Sequence, residues 1–268
     1  MIIIDSPDHY SIRKVRLLNK YMINSGIISA IALFLFAQIS HAAVPTATDD
    51  TGLAAVGEWE FTVFATGESR DQGDSYELPV IEVETGVTDN LAAFVAGSRQ
   101  VIDPEDESSS SGWGNAEVGV KYLAYDQDNV RLAIVPTYSF AMRRSSERRG
   151  LVEDINIFSL PLVASYESNN WTFTGSVAYD MTSTSEDGIF YGFWTGYQAG
   201  DWFLLAEIYG EEVSGSDAAV TNARLGFEWE FMEASNLLFS VGTNLNSSEL
   251  ADDEELDYEF FLGLRWAI

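Results

Sequence analysis

The sequence has no cysteine, few basic residues and almost no histidine. Without cysteine among its 268 residues, the chain cannot form a disulfide or a thiolate metal site. The two histidines, His9 and His41, both lie near the N-terminus. The 14 Lys and Arg residues are outnumbered by 42 Asp and Glu residues, so a basic surface for a nucleic-acid backbone is lacking. Nucleic acid is therefore not an expected partner.

Residues 1–42 have the pattern of a signal peptide. The apolar run 27–37 is preceded by four basic residues, Arg13, Lys14, Arg16 and Lys20. Small residues follow the run at Ser40 and Ala42, and we predict cleavage after Ala42. A membrane anchor is the alternative, but this run is shorter than the roughly 20 residues that a spanning helix needs.

Removal of the signal peptide limits the chemistry of the remaining chain. It takes away both histidines, four basic residues and two acidic ones, which leaves 10 basic and 40 acidic residues. A Ser-His-Asp or Cys-His nucleophile and an imidazole metal site are then excluded. The acidic run 249–255 lacks the ligand spacing of an EF-hand. We therefore predict no catalytic residue, no metal, no cofactor and no enzymatic activity.

Beyond residue 56, apolar residues recur at every second position. Trp171, Phe173, Val177 and Tyr179, for example, alternate with small or polar residues. This period of two indicates strands with one apolar and one polar face. Twelve strands are predicted, near 57–66, 76–85, 91–98, 114–125, 130–141, 154–166, 170–181, 189–198, 201–211, 220–231, 236–246 and 256–268.

The predicted connections alternate between short and long. The short ones are rich in Asn, Asp and Gly, as tight hairpin turns require, and lie at 86–90, 126–129, 167–169, 199–200 and 232–235. The long ones are polar and lie at 67–75, 99–113, 142–153, 182–188, 212–219 and 247–255. Outer-membrane barrels have short periplasmic turns and longer outer loops, whereas a soluble sandwich has no reason for this alternation.

The predicted fold is all-β: a transmembrane, antiparallel, up-and-down β-barrel of about 12 strands at residues 57–268. Its location would be the outer membrane of a Gram-negative cell. Residues 43–56 are interpreted as an exposed periplasmic lead-in, and whether they also form a small plug stays open.

The residue types assign the two faces of the strands. Charges are costly in hydrocarbon, so the apolar side chains are expected to face lipid. Aromatic residues near strand ends would form the interfacial girdles: Trp59, Tyr122, Trp171, Trp202, Trp229, Tyr258 and Trp266. The opposite face would place charged side chains in the lumen: Glu58, Glu60, Glu82, Glu84, Glu117, Lys121, Arg131, Glu207, Arg224, Glu228, Glu230, Glu259 and Arg265.

Two interpretations of these inward charges are possible. An acidic wall would concentrate cations and guide polar solutes. Alternatively, the charges form structural ion pairs that fill the lumen, for example Glu117 and Lys121 with Arg131 on a neighbouring strand.

The connection 142–153 breaks the acidic pattern of the loops because it holds four arginines, Arg143, Arg144, Arg148 and Arg149. Guanidinium groups bind phosphate and carboxylate through two parallel hydrogen bonds. This loop could therefore bind lipopolysaccharide phosphates, fold inward to narrow the pore, or pair with neighbouring acidic loops.

Two stretches resemble known outer-membrane proteins. Residues 112–122, Gly-Trp-Gly-Asn-Ala-Glu-Val-Gly-Val-Lys-Tyr, resemble a hairpin entry of the transporter-like family named for the MetA pathway of phenol degradation, with Asn115 in place of the usual Asp. The following residues 134–137 are also similar to that family. The chain ends in alternating apolar residues that include Trp266 and Ile268, which resembles the C-terminal signal that the barrel-insertion machinery recognises.

The resemblance implies an outer-membrane route for the uptake or efflux of small organic molecules, including aromatic ones. Together with the acidic wall, it predicts a channel for small solutes, including aromatic or cationic ones. Its expected partners are membrane lipid, lipopolysaccharide, the insertion machinery and the solute. The alternative is a structural or interaction barrel whose lumen is filled by side chains and which transports nothing.

Overall fold

The computed structural model describes residues 45–70, 73–105, 108–152, 155–183, 187–213, 219–248 and 256–268. The strands are β1 Trp59–Arg70, β2 Gly73–Thr88, β3 Leu91–Pro104, β4 Ser110–Gln127, β5 Val130–Ile134, β6 Thr137–Ala141, β7 Ile157–Ser168, β8 Trp171–Thr182, β9 Gly188–Ala199, β10 Trp202–Val213, β11 Ala219–Met232, β12 Ser235–Ser248 and β13 Leu256–Ala267. One helical turn, α1 (Arg144–Glu147), is present among these residues. No helix in this part of the chain is long and apolar enough to cross a membrane.

Strands β5 and β6 occupy a single position in the wall. Both pair with β4 on one side and with β7 on the other. The interruption falls at Val135 and Pro136, because proline has no N–H with which to continue the ladder. The Pro136 carbonyl still accepts a hydrogen bond from Val120 N at 3.2 Å. The predicted architecture of 12 strand positions is therefore confirmed.

The wall closes on itself. Each of the 12 strand positions is antiparallel to its two neighbours in the wall, and β1 pairs with β13 from Glu60 opposite Ala267 to Arg70 opposite Leu256. A closed barrel leaves no edge strand, so the backbone N–H and C=O groups of the wall are satisfied within the protein.

The barrel has two distinct ends. At the turn end, five two-residue connections join the strands: 89–90, 128–129, 169–170, 200–201 and 233–234. Asp128, Asn169 and Gly200 there adopt positive φ angles of 55°, 54° and 65°, which these residue types tolerate. The predicted short turns are thus confirmed. The six other connections lie at the opposite end, which we call the loop end.

Several strands continue further toward the loop end than the sequence indicated. The predicted loop 67–75 is largely strand, since β1 ends at Arg70 and β2 begins at Gly73. The predicted loop 99–113 is likewise shortened by β3 and β4. In the β1–β2 hairpin, Ser69 Oγ donates to Asp74 Oδ1 at 2.7 Å. Polar side chains mark where a strand leaves the hydrocarbon, but its ladder can continue in water.

Large apolar side chains cover the outer surface. Leu162, Val177, Phe193, Ile208 and Leu225 are each more than 50% exposed. Aromatic rings cluster at the turn end, where the rings of Trp202 and Trp229 stack with centroids 5.2 Å apart. A continuous apolar exterior with aromatic rings at its border is typical of a barrel in a bilayer.

We expect a charge on this exterior to destabilise the barrel according to its depth. Leu225→Arg, in the middle of β11, should lower the free energy of unfolding by about 2–4 kcal/mol, because the guanidinium would face hydrocarbon. Met232→Arg is a matched control, since Met232 is 62% exposed against 64% for Leu225 but ends the same strand. The control should cost at most about 1 kcal/mol. Urea unfolding in lipid vesicles measures both, and equal costs would contradict the assigned lipid face.

Candidate functional site

Ten of the thirteen predicted inward charges lie in the lumen. The side chains of seven are buried there: Glu60, Glu84, Lys121, Glu207, Glu228, Glu259 and Arg265. Glu82, Glu117 and Arg224 line a cavity in the same space. Glu58 and Glu230 lie near the turn end and are partly exposed. What these residues do remains a prediction.

Three cationic side chains organise the buried carboxylates. Lys121 Nζ lies 3.2 Å from Glu84 Oε2 and 3.8 Å from Asp50 Oδ1. Arg265 forms a buried salt bridge with Glu228. Buried charges are tolerated only when they are paired in this way.

The third group centres on Arg224. Its Nη2 lies 2.6 Å from Glu259 Oε2, and its Nη1 lies 3.9 Å from Glu207 Oε2. The Tyr209 hydroxyl donates to Glu259 Oε1 at 2.6 Å, and the guanidinium lies 5.2 Å from the centre of the Tyr209 ring. Arg224 of β11 is thus held by contacts from two other strands, β10 and β13.

Arg131 does not belong to these groups. It forms a salt bridge of 3.7 Å with Asp126, its neighbour across the β4–β5 hairpin, and both side chains are substantially exposed. The suggested pairing of Glu117 and Lys121 with Arg131 is therefore wrong. Lys121 instead lies six residues before the end of β4 and pairs with Glu84 of β2 on the inner face of the barrel.

The barrel also encloses a stretch of chain that precedes β1. We call residues 45–55 the lumen segment. Thr48, Asp50, Thr51 and Ala54 of this segment are each at most 6% exposed. The expectation of an exposed lead-in is therefore wrong for the described residues 45–55, which fold back into the barrel from the turn end.

The lumen segment contacts strands on all sides of the barrel. Glu207 of β10 accepts hydrogen bonds from Ala47 N at 3.0 Å and from Thr48 N at 2.8 Å. Thr51 Oγ1 donates to Ser165 Oγ of β7 at 3.0 Å, and Ala54 N donates to Glu84 Oε1 of β2 at 3.0 Å. Together with the salt bridge to Lys121 of β4, these contacts make the segment cross the lumen.

Apolar side chains fill the lumen toward the turn end. Leu123, Ala133, Val135 and Val163 form one buried cluster, against which Leu53 of the lumen segment packs. Trp194, Phe203 and Leu205 form a second. The inner face is therefore not uniformly polar, which the assignment of all apolar side chains to lipid did not anticipate.

Open space remains nearer the loop end. A cavity of about 320 Å³ lies between the lumen segment and strands β1, β2, β3, β4, β11 and β13. Its lining includes seven carboxylates (Asp49, Asp50, Glu68, Glu82, Glu84, Glu117 and Glu259) and two cations (Lys121 and Arg224). A second cavity of about 160 Å³ shares Glu68 and Glu259 with the first.

The arginine-rich connection folds back onto the beginning of β4. Arg149 Nη1 donates to the Ser111 carbonyl at 3.0 Å, and Leu151 is 2% exposed. Arg143 lies 5.6 Å from the centre of the Trp113 ring. Arg144 and Arg148 remain exposed. No salt bridge joins these four arginines to acidic residues in the described part of the chain, so the suggested loop-to-loop pairing is absent there.

The sequence patterns do not identify Asp49, Asp50 and Tyr209 as lumen residues. Asp49 and Asp50 precede the first strand, so no strand pattern assigns them to a face. Glycines on the inner face give a weak signal that chain packs against the wall there. A Cβ at Gly192 would overlap Thr48 Oγ1, and one at Gly86 would overlap the carbonyls of Ala54 and Ala55.

Among the described residues, no group of three or more His, Asp or Glu side chains has a geometry that could hold a metal ion. The acidic run 249–255 considered in the sequence lies outside those residues.

Comparison with known proteins gives a family and a fold. Residues 73–249 match the family model described as "Putative MetA-pathway of phenol degradation", and this range contains the segment 112–122 that resembles the family. No curated protein sequence matches the chain. The NanC porin structure aligns with a TM-score of 0.58 and 10% identity over 77% of this chain and 98% of that one. The KdgM porin aligns with a TM-score of 0.49 and 11% identity over 76% and 98%.

At 10% identity, the likeness to the NanC porin shows a shared fold. The predicted outer-membrane barrel architecture is thereby confirmed, as is the predicted family resemblance.

Removing one partner of a buried ion pair should cost more stability than removing an exposed one. Arg265→Met should lower the free energy of unfolding by about 3–5 kcal/mol, because it leaves Glu228 charged and uncompensated. The control is Arg70→Met, whose partner Glu68 is 47% exposed. It should cost at most about 1 kcal/mol. Guanidinium unfolding in detergent micelles compares the two, and an Arg265→Met barrel as stable as the control would contradict the assigned pair.

Proposed function

Because the chain belongs to the MetA-pathway family and has the porin fold, we propose that it is an outer-membrane channel for small polar solutes, with a preference for cations. The observation that carries the proposal is the surplus of carboxylates around the larger cavity. Seven acidic and two cationic side chains line it. A wall with this imbalance raises the local concentration of cations and lowers that of anions.

The ion pairs do not neutralise this surplus. Asp50, Glu84 and Glu259 take part in the salt bridges of Lys121 and Arg224. Asp49, Glu82 and Glu117 form no salt bridge with any described residue, and all three line the cavity. These three carboxylates therefore face the cavity without a salt-bridge partner and can bind a cationic solute.

The cavity also has an aromatic side, which supports solutes that are both cationic and aromatic. Phe64, Phe94, Phe260 and Phe261 line the same space as the carboxylates. Aromatic faces attract cations and pack against apolar rings. With about 320 Å³, the cavity is at the lower end of typical ligand pockets, which favours small molecules.

A barrel with a filled lumen is the second candidate function. The lumen segment and the two apolar clusters occupy the turn end and favour this alternative. Such a barrel would serve a structural role or bind partners through its loops, and it would conduct no ions. It differs from the channel in a single measurable property, the conductance.

The remaining parts of the proposal concern delivery and lipid contact. We expect residues 1–42 to direct export and to be removed after Ala42, and we expect the insertion machinery to recognise the end of β13. Arg144 and Arg148 are exposed at the loop end, beside the Arg143–Trp113 contact at the outer surface. At this level an arginine can bind the phosphates of lipopolysaccharide.

The channel should select potassium over chloride. In a planar bilayer with a KCl gradient, we expect a reversal potential of the sign that a cation-selective pore gives. Glu82→Gln combined with Glu117→Gln should bring the reversal potential closer to zero, because it removes two unpaired charges from the cavity. Glu167→Gln is the control, since Glu167 is exposed near the turn end and should leave the selectivity unchanged. A folded barrel without conductance would favour the filled-lumen alternative, and anion selectivity would contradict the proposed preference.

The arginine loop should bind lipopolysaccharide. We expect Arg144→Gln with Arg148→Gln to reduce the lipopolysaccharide retained by the purified barrel in native mass spectrometry several-fold. Arg131→Gln, at the turn end, should leave the retained amount unchanged. Equal retention by all three proteins would show that this loop does not bind the phosphates.

A further inference from the structure

The contacts of the lumen segment suggest that it can leave its place. Backbone-to-backbone contacts tie this region to the barrel at its C-terminal end. Gly57 N donates to Gly86 O at 3.0 Å, and Val56 forms a bridge with the same residue. Ala47, Thr48, Thr51 and Ala54 are held by hydrogen bonds to side chains of the wall. Such contacts can be exchanged for water one by one.

The wall groups that hold the segment have partners of their own. Lys121 keeps Glu84 at 3.2 Å when Asp50 leaves. Glu207 keeps Arg224 at 3.9 Å, and Ser165 Oγ keeps a hydrogen bond of 2.8 Å to Thr174 Oγ1. Departure of the segment would therefore leave each wall charge that it contacts (Lys121, Glu84 and Glu207) with a counter-charge. This lowers the electrostatic cost of an empty lumen.

A pivot is present at the base of the segment. Gly57 has a φ of 82°, which favours glycine, and a Cβ placed there would meet no atom within 4 Å. Gly57 is thus the turn at which the chain passes from the lumen segment to the wall, where Trp59 begins the first strand. Residues 45–55 can swing about this point toward the turn end.

We infer that the lumen segment is an internal gate: in place it blocks the barrel between the cavity and the turn end, and its displacement opens a continuous path. This inference rests on the proposed channel function. The segment blocks because Leu53 packs on the apolar cluster while Asp50 and Thr48 reach opposite sides of the wall. The gate regulates the same path that the acidic cavity serves.

The absence of cysteine allows a direct test. Thr51 Oγ1 and Ser165 Oγ are 3.0 Å apart, so a Thr51→Cys/Ser165→Cys pair can form a disulfide that locks the segment to β7. We expect the oxidised protein to show at least ten-fold less bilayer conductance than the same protein after reduction. The single variants Thr51→Cys and Ser165→Cys are controls and should not respond to reductant. Alkylation and mass spectrometry show whether the disulfide has formed.

The outcomes separate the gate from the channel. A folded double variant whose two cysteines are alkylated under oxidising conditions would overturn the placement of the segment and hence the gate. A disulfide that forms while conductance is the same in both redox states would also overturn the gate.

A further variant with residues 45–52 replaced by Gly and Ser tests the channel itself. It should conduct continuously and ignore reductant. If it is folded, as shown by its gel mobility before heating, and does not conduct, the channel function fails and the gate with it. If it conducts but the locked protein conducts equally well, only the gate fails.

Discussion

The structure depends on one constraint: every backbone N–H and C=O group in hydrocarbon needs a partner within the protein. Pairing β1 with β13 meets this constraint by removing the last edge. In the closed barrel, successive side chains of a strand point alternately to the lipid and to the lumen. At the seam, Phe61 stacks on Trp266 outside the barrel, whereas Thr62 is 2% exposed and lies beside Arg265 inside. The lipid face and the lumen are both consequences of this closure.

An acidic chain that closes in this way must accommodate carboxylates in a confined space. Two of the three buried cations lie near more than one acid: Lys121 near Glu84 and Asp50, and Arg224 near Glu259 and Glu207. Asp49, Glu82 and Glu117 face the cavity, where water and mobile cations can compensate them. The shared cations and the hydration of the surplus carboxylates together stabilise the charges in the middle of the lumen. The apolar clusters lie at the turn end.

Much of this could be predicted from the sequence, because hydrocarbon imposes a strict period of two. The strand positions, the short turns and the inward direction of residues such as Glu207 and Arg265 follow from that period. The residues at which β1 and β3 end could not be predicted in this way, since a polar hairpin can continue in water. The ion-pair partners could not be predicted from the period either, because pairing depends on the stagger between strands. Arg131 pairs with Asp126 across its own hairpin, while Lys121 reaches Glu84 two strand positions away.

The lumen segment escaped prediction for a different reason: its place exists only after the barrel has closed. It contacts β2, β4, β7, β9 and β10, which no shorter part of the chain brings together. The wall charges that the segment contacts have partners without it, in the pairs Lys121–Glu84 and Arg224–Glu207. Because the segment completes neither of these pairs, it is also the part of the interior that can leave at least electrostatic cost.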